Sequence, residues 1–120
     1  MKTLKIVQTG CIIALFSVFL VLSGCSKSNS TVAVVATPGT NEVWMQNTAF
    51  NPAIKTITAG TTITWINKDN TDHDVTSLTG VFISPTMAKN QTFSFRFDSQ
   101  GTYDYKCTFH LGMTGKIIVQ

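Results

Sequence analysis

The chain is poor in the residues on which most catalytic and nucleic-acid sites depend. It has two histidines, three cysteines and six acidic residues in a length of 120. Two histidines cannot furnish several metal centres, which excludes multi-centre oxidase chemistry. No paired-carboxylate motif and no Ser-His-Asp order is present, so nothing points to hydrolysis. No basic run and no basic–aromatic interleaving supports nucleic-acid binding. From Glu42 onward no stretch of helical period is long enough to form a substantial helix. The length suits one folded domain and not two.

What is present begins with a processing pattern. Lys2 and Lys5 precede an apolar run from Ile12 to Leu22, which is short for a membrane-spanning helix. Leu22-Ser23-Gly24-Cys25 follows and resembles the lipobox of bacterial lipoproteins. That resemblance implies cleavage before Cys25 and a diacylglycerol on its sulfur; in a plain signal peptide or an uncleaved anchor Cys25 would be incidental. The expected organisation is a lipoprotein signal peptide over 1–24, a lipidated cysteine and flexible tether over 25–40, and one folded domain over 41–120. The tether is small and polar, from Ser26-Lys27-Ser28 to Pro38-Gly39-Thr40, with a short apolar patch at 32–36 that could form a loose strand. Removing Lys2 and Lys5 lowers the overall charge of +3 toward neutrality. Cys11 leaves with the signal and Cys25 is lipidated, so Cys107 stays unpaired in an oxidising compartment, where cysteines ordinarily form disulfides.

From Glu42 onward the pattern is β. Strands are expected over 42–47, 54–58, 61–67, 73–77, 81–83, 91–97, 102–107 and 115–120. Ile63 and Trp65 share a face, and Phe93, Phe95 and Phe97 alternate with Thr92, Ser94 and Arg96. Ala59-Gly60 and Asp98-Ser99-Gln100-Gly101 read as turns. Short strands at this spacing make a β-sandwich or a small barrel. The expected core is Val43, Met45, Ile63, Trp65, Val75, the three phenylalanines, Tyr103, Tyr105, Ile117 and Val119.

One stretch carries the chemistry. Cys107-Thr108-Phe109-His110-Leu111-Gly112-Met113 sets a thiolate, an imidazole and a thioether at intervals of three. Tyr103, Tyr105 and Cys107 fall on one strand face, turning the sulfur inward. His73 is the only other imidazole. Each residue also has an ordinary reading: Cys107 as a small buried hydrophobe, His73 and His110 as loop residues, Met113 as core. Together, two imidazoles, one thiolate and an axial thioether are the donor set of a blue-copper site. Met45 and Met87 lie outside this loop. Zinc suits the set less, because structural zinc sites seldom use a thioether and ordinarily use more cysteines.

These residues resemble the cupredoxins, the small blue copper proteins. The matching segments are Phe50-Asn51-Pro52, Ala59-Gly60-Thr61-Thr62-Ile63-Thr64-Trp65-Ile66-Asn67, His73, and Gly101-Thr102-Tyr103-Asp104-Tyr105-Lys106-Cys107. The short ligand loop is similar to that of the amicyanins, whereas plastocyanins and pseudoazurins have a longer gap before the methionine. The resemblance implies an all-β Greek-key β-sandwich with one type 1 copper and no catalysis of its own. It also implies that His110 reaches the surface through an apolar partner patch, here Phe109 and Leu111, with Pro85 and Met87 as further candidates. Tyr103 would form a tyrosine corner. At the position after the upstream histidine the family carries asparagine, which ties the two ligand loops together, and a backbone amide there donates to the thiolate. Here that position is Asp74, which puts the side-chain tie in question. If ionised and close to the metal, Asp74 would favour Cu(II) and lower the potential.

Four functions are compatible with some part of this pattern. A membrane-tethered carrier would pass single electrons between redox protein partners by Cu(I)/Cu(II) cycling. A copper-binding or trafficking lipoprotein would use the same donors without electron turnover. A copper enzyme is excluded by the histidine count. A metal-free interaction domain would share only the sandwich. The first reading places the protein outside the cytoplasm, held at a bacterial membrane by its lipid, with no nucleic acid or small-molecule substrate.

Overall fold

In a computed structural model of the chain, residues 33–120 are described. The expected signal segment, Cys25 and the first half of the tether lie outside the described residues. Residues 33–36 form no strand and are exposed, so the apolar patch there gives no strand among the described residues.

Eight strands make up the domain: β1 (Glu42–Gln46), β2 (Ala49–Asn51), β3 (Ile54–Ile57), β4 (Thr61–Asn67), β5 (Thr76–Ser77), β6 (Thr92–Phe97), β7 (Gly101–Lys106) and β8 (Thr114–Val119). They form two four-stranded sheets, ordered β2-β1-β4-β6 and β3-β8-β7-β5. Among the described residues there is no helix, so the architecture is the expected all-β Greek-key sandwich. The pairs β1/β4 and β3/β8 are parallel, and the other pairings are antiparallel.

The strand pattern follows from alternation. In β4, Ile63, Trp65 and Asn67 point inward while Thr62, Thr64 and Ile66 are less buried. In β8, Gly115, Ile117 and Val119 face the core. Trp65 is the centre of that core, with ring centroids 5.5 Å from Phe82 and from Tyr105 across the sandwich. Tyr105 is fully buried, and burial pushes its phenol up to about 12. The ring lies over Gly115, its register partner in β8, where an added Cβ would come within 2.3 Å of the ring. A glycine is therefore required beneath the aromatic ring.

Several expectations shift on inspection. β2 is absent from the sequence pattern because only Phe50 of its three residues is buried. Its connection to β1 is the two-residue turn Asn47-Thr48, with φ of 56° and 57°. A hairpin turn of this hand ordinarily calls for glycine, so Thr48 hides it. The expected strand at 81–83 is only a single bridge, Thr76 to Ile83, while Phe82 between Val81 and Ile83 enters the core. Tyr103 is half-buried, with Phe93 and Phe95, at the margin of the core; its hydroxyl donates to the Ser99 carbonyl at 2.9 Å, the geometry of a tyrosine corner. Trp44, Ile57 and Met87 join the buried set.

Candidate metal centre

The site lies where the β4–β5 connection meets the β7–β8 connection. The upstream segment is shaped by Asn67, a buried amide at the end of β4. Its Nδ2 donates to the carbonyls of Thr71 and Met87, both at 2.8 Å, and its Oδ1 accepts from the Asp69 amide at 2.9 Å. His73 and Met87 exchange backbone hydrogen bonds at 3.1 and 2.8 Å. The loop is thus pinned on both sides before the His73 side chain is considered.

That side chain is fully buried. Nε2 donates to Oδ2 of Asp69 at 2.9 Å. A carboxylate only accepts, so the proton sits on Nε2 and the lone pair on Nδ1. Asp69 is itself fixed by the amides of Asn47 and Thr48, at 2.8 and 2.9 Å. Burial works to raise the Asp69 carboxyl, but those amides and His73 outweigh it and hold the group below the ordinary carboxylate range. The left-handed turn thus aims two N–H groups at the carboxylate that orients a donor. Nothing in the spacing of Asp69 marks this role beyond its place four residues before His73.

Cys107 lies just past β7, buried, with its amide donating to the Met113 carbonyl at 3.0 Å. The Met113 amide returns toward the His110 carbonyl at 3.3 Å. Gly112, with φ of 85°, lets so short a loop reverse. Met113 is buried at 3 % exposure, and His110 is half-buried. Burial pushes the Cys107 thiol up; backbone N–H groups of Asp74 and Phe109 act against this, while the Asp74 charge adds to it. Ligation would therefore release a proton.

The loops bring three of the four expected donors, His73, Cys107 and His110, together. Sγ of Cys107 is 3.6 Å from Nδ1 of His73 and 3.6 Å from Nδ1 of His110. All three donor atoms lie within 4.8 Å of one another. Donors that share one ion through bonds of about 2.0–2.3 Å sit about 3.5–4 Å apart. One thiolate and two imidazoles in that triangle fit a single copper ion, for which sulfur and nitrogen donors are suited.

Asp74 corrects one expectation. The tie between the loops survives the change from asparagine. Oδ1 accepts from the Thr108 amide at 2.5 Å, and Oδ2 accepts from the hydroxyls of Thr108 and Thr76 at 2.7 and 3.0 Å. Burial acts to raise the Asp74 carboxyl, and these bonds more than offset it, leaving it below the usual range. The patch expectation divides. Phe109 and Leu111 are exposed, as is Pro85, but Met87 is buried at 1 % and belongs to the core behind His73.

The family model for a cupredoxin-like domain matches residues 11–119. The chain belongs to the cupredoxin-like family. Amicyanin-alpha of Methylorubrum extorquens is 36 % identical over 90 residues, covering 71 % of this chain and 76 % of that protein. Amicyanin of Paracoccus denitrificans is 41 % identical over 69 residues, covering 53 % of each chain, so this cupredoxin spans about half of that relative's length. Among solved structures, the Cu(I) form of an amicyanin variant superposes with a TM-score of 0.64 at 33 % identity, covering 71 % of this chain and 86 % of that one.

Proposed function

We propose that this cupredoxin is a type 1 blue copper protein that carries single electrons between redox partners. The observation that carries the reading is the close triangle of His73, Cys107 and His110, drawn from two loops into one site. His73 Nδ1, Cys107 Sγ, His110 Nδ1 and the Met113 thioether would hold the metal. Bound copper supplies the one-electron Cu(I)/Cu(II) couple.

The chain's own residues do the rest. Asp69 holds His73 in one tautomer and orientation, which leaves little to rearrange when charge changes at the site. The Cys107–Met113 backbone bond keeps the loop closed around the donors. His110 is the donor nearest the exterior, flanked by Phe109 at 53 % exposure and by the fully exposed Leu111. An apolar edge beside a half-buried donor suits brief docking, because it allows a partner close approach without charged groups to desolvate.

The same reading places the protein outside the cytoplasm at a bacterial membrane, anchored through lipidated Cys25 and a tether reaching to residue 40. A flexible tether of length n spans roughly 5–6 Å times the square root of n, enough to let the domain turn toward more than one partner. Cys25→Ser is expected to move the protein from the membrane to the soluble fraction, and its retention at the membrane would count against the anchor. The central test is the visible and EPR spectrum on adding Cu(II) to the reduced protein. An intense thiolate-to-copper band that disappears in Cys107→Ser is expected; binding without that band would refute a type 1 site.

A further inference from the structure

We propose that Asp74 is a redox-tuning residue whose fixed negative charge holds the potential of the bound copper below the value a neutral side chain would give. The inference rests on the copper reading above. Asp74 follows His73 in the chain and bonds to Thr108, which follows Cys107, so its charge links the two donor-bearing loops. Asp74 accepts from the Thr108 amide, which can only donate, and from the hydroxyls of Thr108 and Thr76. An ionised carboxylate satisfies three donors without a proton of its own. The side chain is only 7 % exposed.

Among the described residues no cation lies within 4.0 Å of that charge. Among the described residues the ion pairs within 4.0 Å are His73–Asp69, Arg96–Asp98 and Lys116–Asp104, and none includes Asp74. A buried, unpaired negative charge acts across a low dielectric and favours the more positive oxidation state. In the step Cu(II) + e⁻ → Cu(I), with the electron delivered by a redox protein, Asp74 stabilises the left-hand side. The natural electron donor must then be a stronger reductant than a site with asparagine here would need.

Asparagine makes a clean comparison. Its Oδ1 can keep the Thr108 amide bond, and its Nδ2 can donate to the two hydroxyls, which rotate to accept. Redox titration of the copper-loaded protein at neutral pH, followed by its visible band, tests the proposal. Asp74→Asn is expected to lower the ratio of Cu(II) to Cu(I) affinity about tenfold or more, a rise of about 59 mV for one electron, with the visible and EPR signatures intact. An unchanged or lower potential with those signatures intact overturns it. Asp98→Asn, at an exposed carboxylate, should change the ratio less than roughly twofold; a shift equal to that of Asp74→Asn would assign the effect to net charge and overturn the proposal. Should Asp74→Asn fail to load, Thr108→Val decides, since it keeps the charge and removes one compensating hydroxyl. A lower potential there supports the proposal and an unchanged or higher one overturns it. A wild-type protein with no thiolate-to-copper band would instead overturn the copper reading, and this inference with it.

Discussion

His73 is gripped on every side, whereas His110 stands at a rim. Behind His73 are a buried amide, Asn67, a carboxylate held by two backbone N–H groups, and a two-way backbone bridge to Met87. Around His110 the loop is stitched only through Cys107 and Met113, and its tip is the exposed pair Phe109 and Leu111. Both histidines present Nδ1 to the same sulfur at the same distance. One half of the site is built for fixed geometry and the other for access, and a carrier needs both. Equal distances to a donor do not imply equal support.

If the upstream half is the rigid one, its deepest support should be the most costly to remove. Asn67→Ala would remove three hydrogen bonds, to the Thr71 and Met87 carbonyls and from the Asp69 amide, and a loss of about 2–4 kcal/mol is expected in denaturant unfolding of the metal-free protein. A loss below about 1 kcal/mol would mean that the loop does not depend on this hub.

Asp69→Asn comes next, because one of the N–H groups now bonded to the carboxylate would then face another donor. The expected cost is about 1–2 kcal/mol at neutral pH. It also carries a pH signature. The Asp69 carboxyl is held below its ordinary value of 3.8 in the folded state. Its contribution is therefore complete above that value and is lost as pH falls through the lower folded value. The acid limb of the metal-free stability curve should be shallower in Asp69→Asn; an identical limb would show that the carboxylate contributes nothing to acid sensitivity.

The smallest effect on stability is expected on the open side. Leu111→Ser alters a fully exposed side chain and should change unfolding free energy by less than about 0.5 kcal/mol. Electron exchange with a partner, or self-exchange measured by NMR line broadening, should nonetheless slow. Unchanged exchange would detach the apolar rim from function and leave the contrast between the halves purely structural.

The same contrast explains what could be read from the sequence. The downstream half is local: Cys107, His110 and Met113 occur at fixed intervals on one short loop, so their types and spacing declare them. His73 was accessible by elimination, as the only remaining imidazole. The upstream support is distributed. Asn47 and Thr48 lie in a turn far along the chain from His73, and Asp69 resembles any acidic loop residue until the fold places it against that turn. Alternation exposed β4 and β6 because each buries one face, whereas β2 buries a single side chain and follows a turn without glycine. Met87 was a further candidate for the apolar patch, alongside Pro85, but its backbone bridge to His73 carries it inward.

The place of β8 in its sheet has a consequence for how the protein reaches its working state. This final strand lies between β3 and β7, with its partners separated by much of the domain's sequence. The sheet is complete only once β8 has paired on both sides, and pairing of this kind is slow because distant segments must meet before contacts reward them. The donor loop leads directly into β8, so the pairing of β8 and the placement of Cys107 and His110 are linked. Copper offered before that pairing would meet scattered thiol and imidazole groups; copper offered afterwards would meet a finished site. Folding and loading are thus coupled through strand position, and a chain cut back through β8 should lose sheet and metal together.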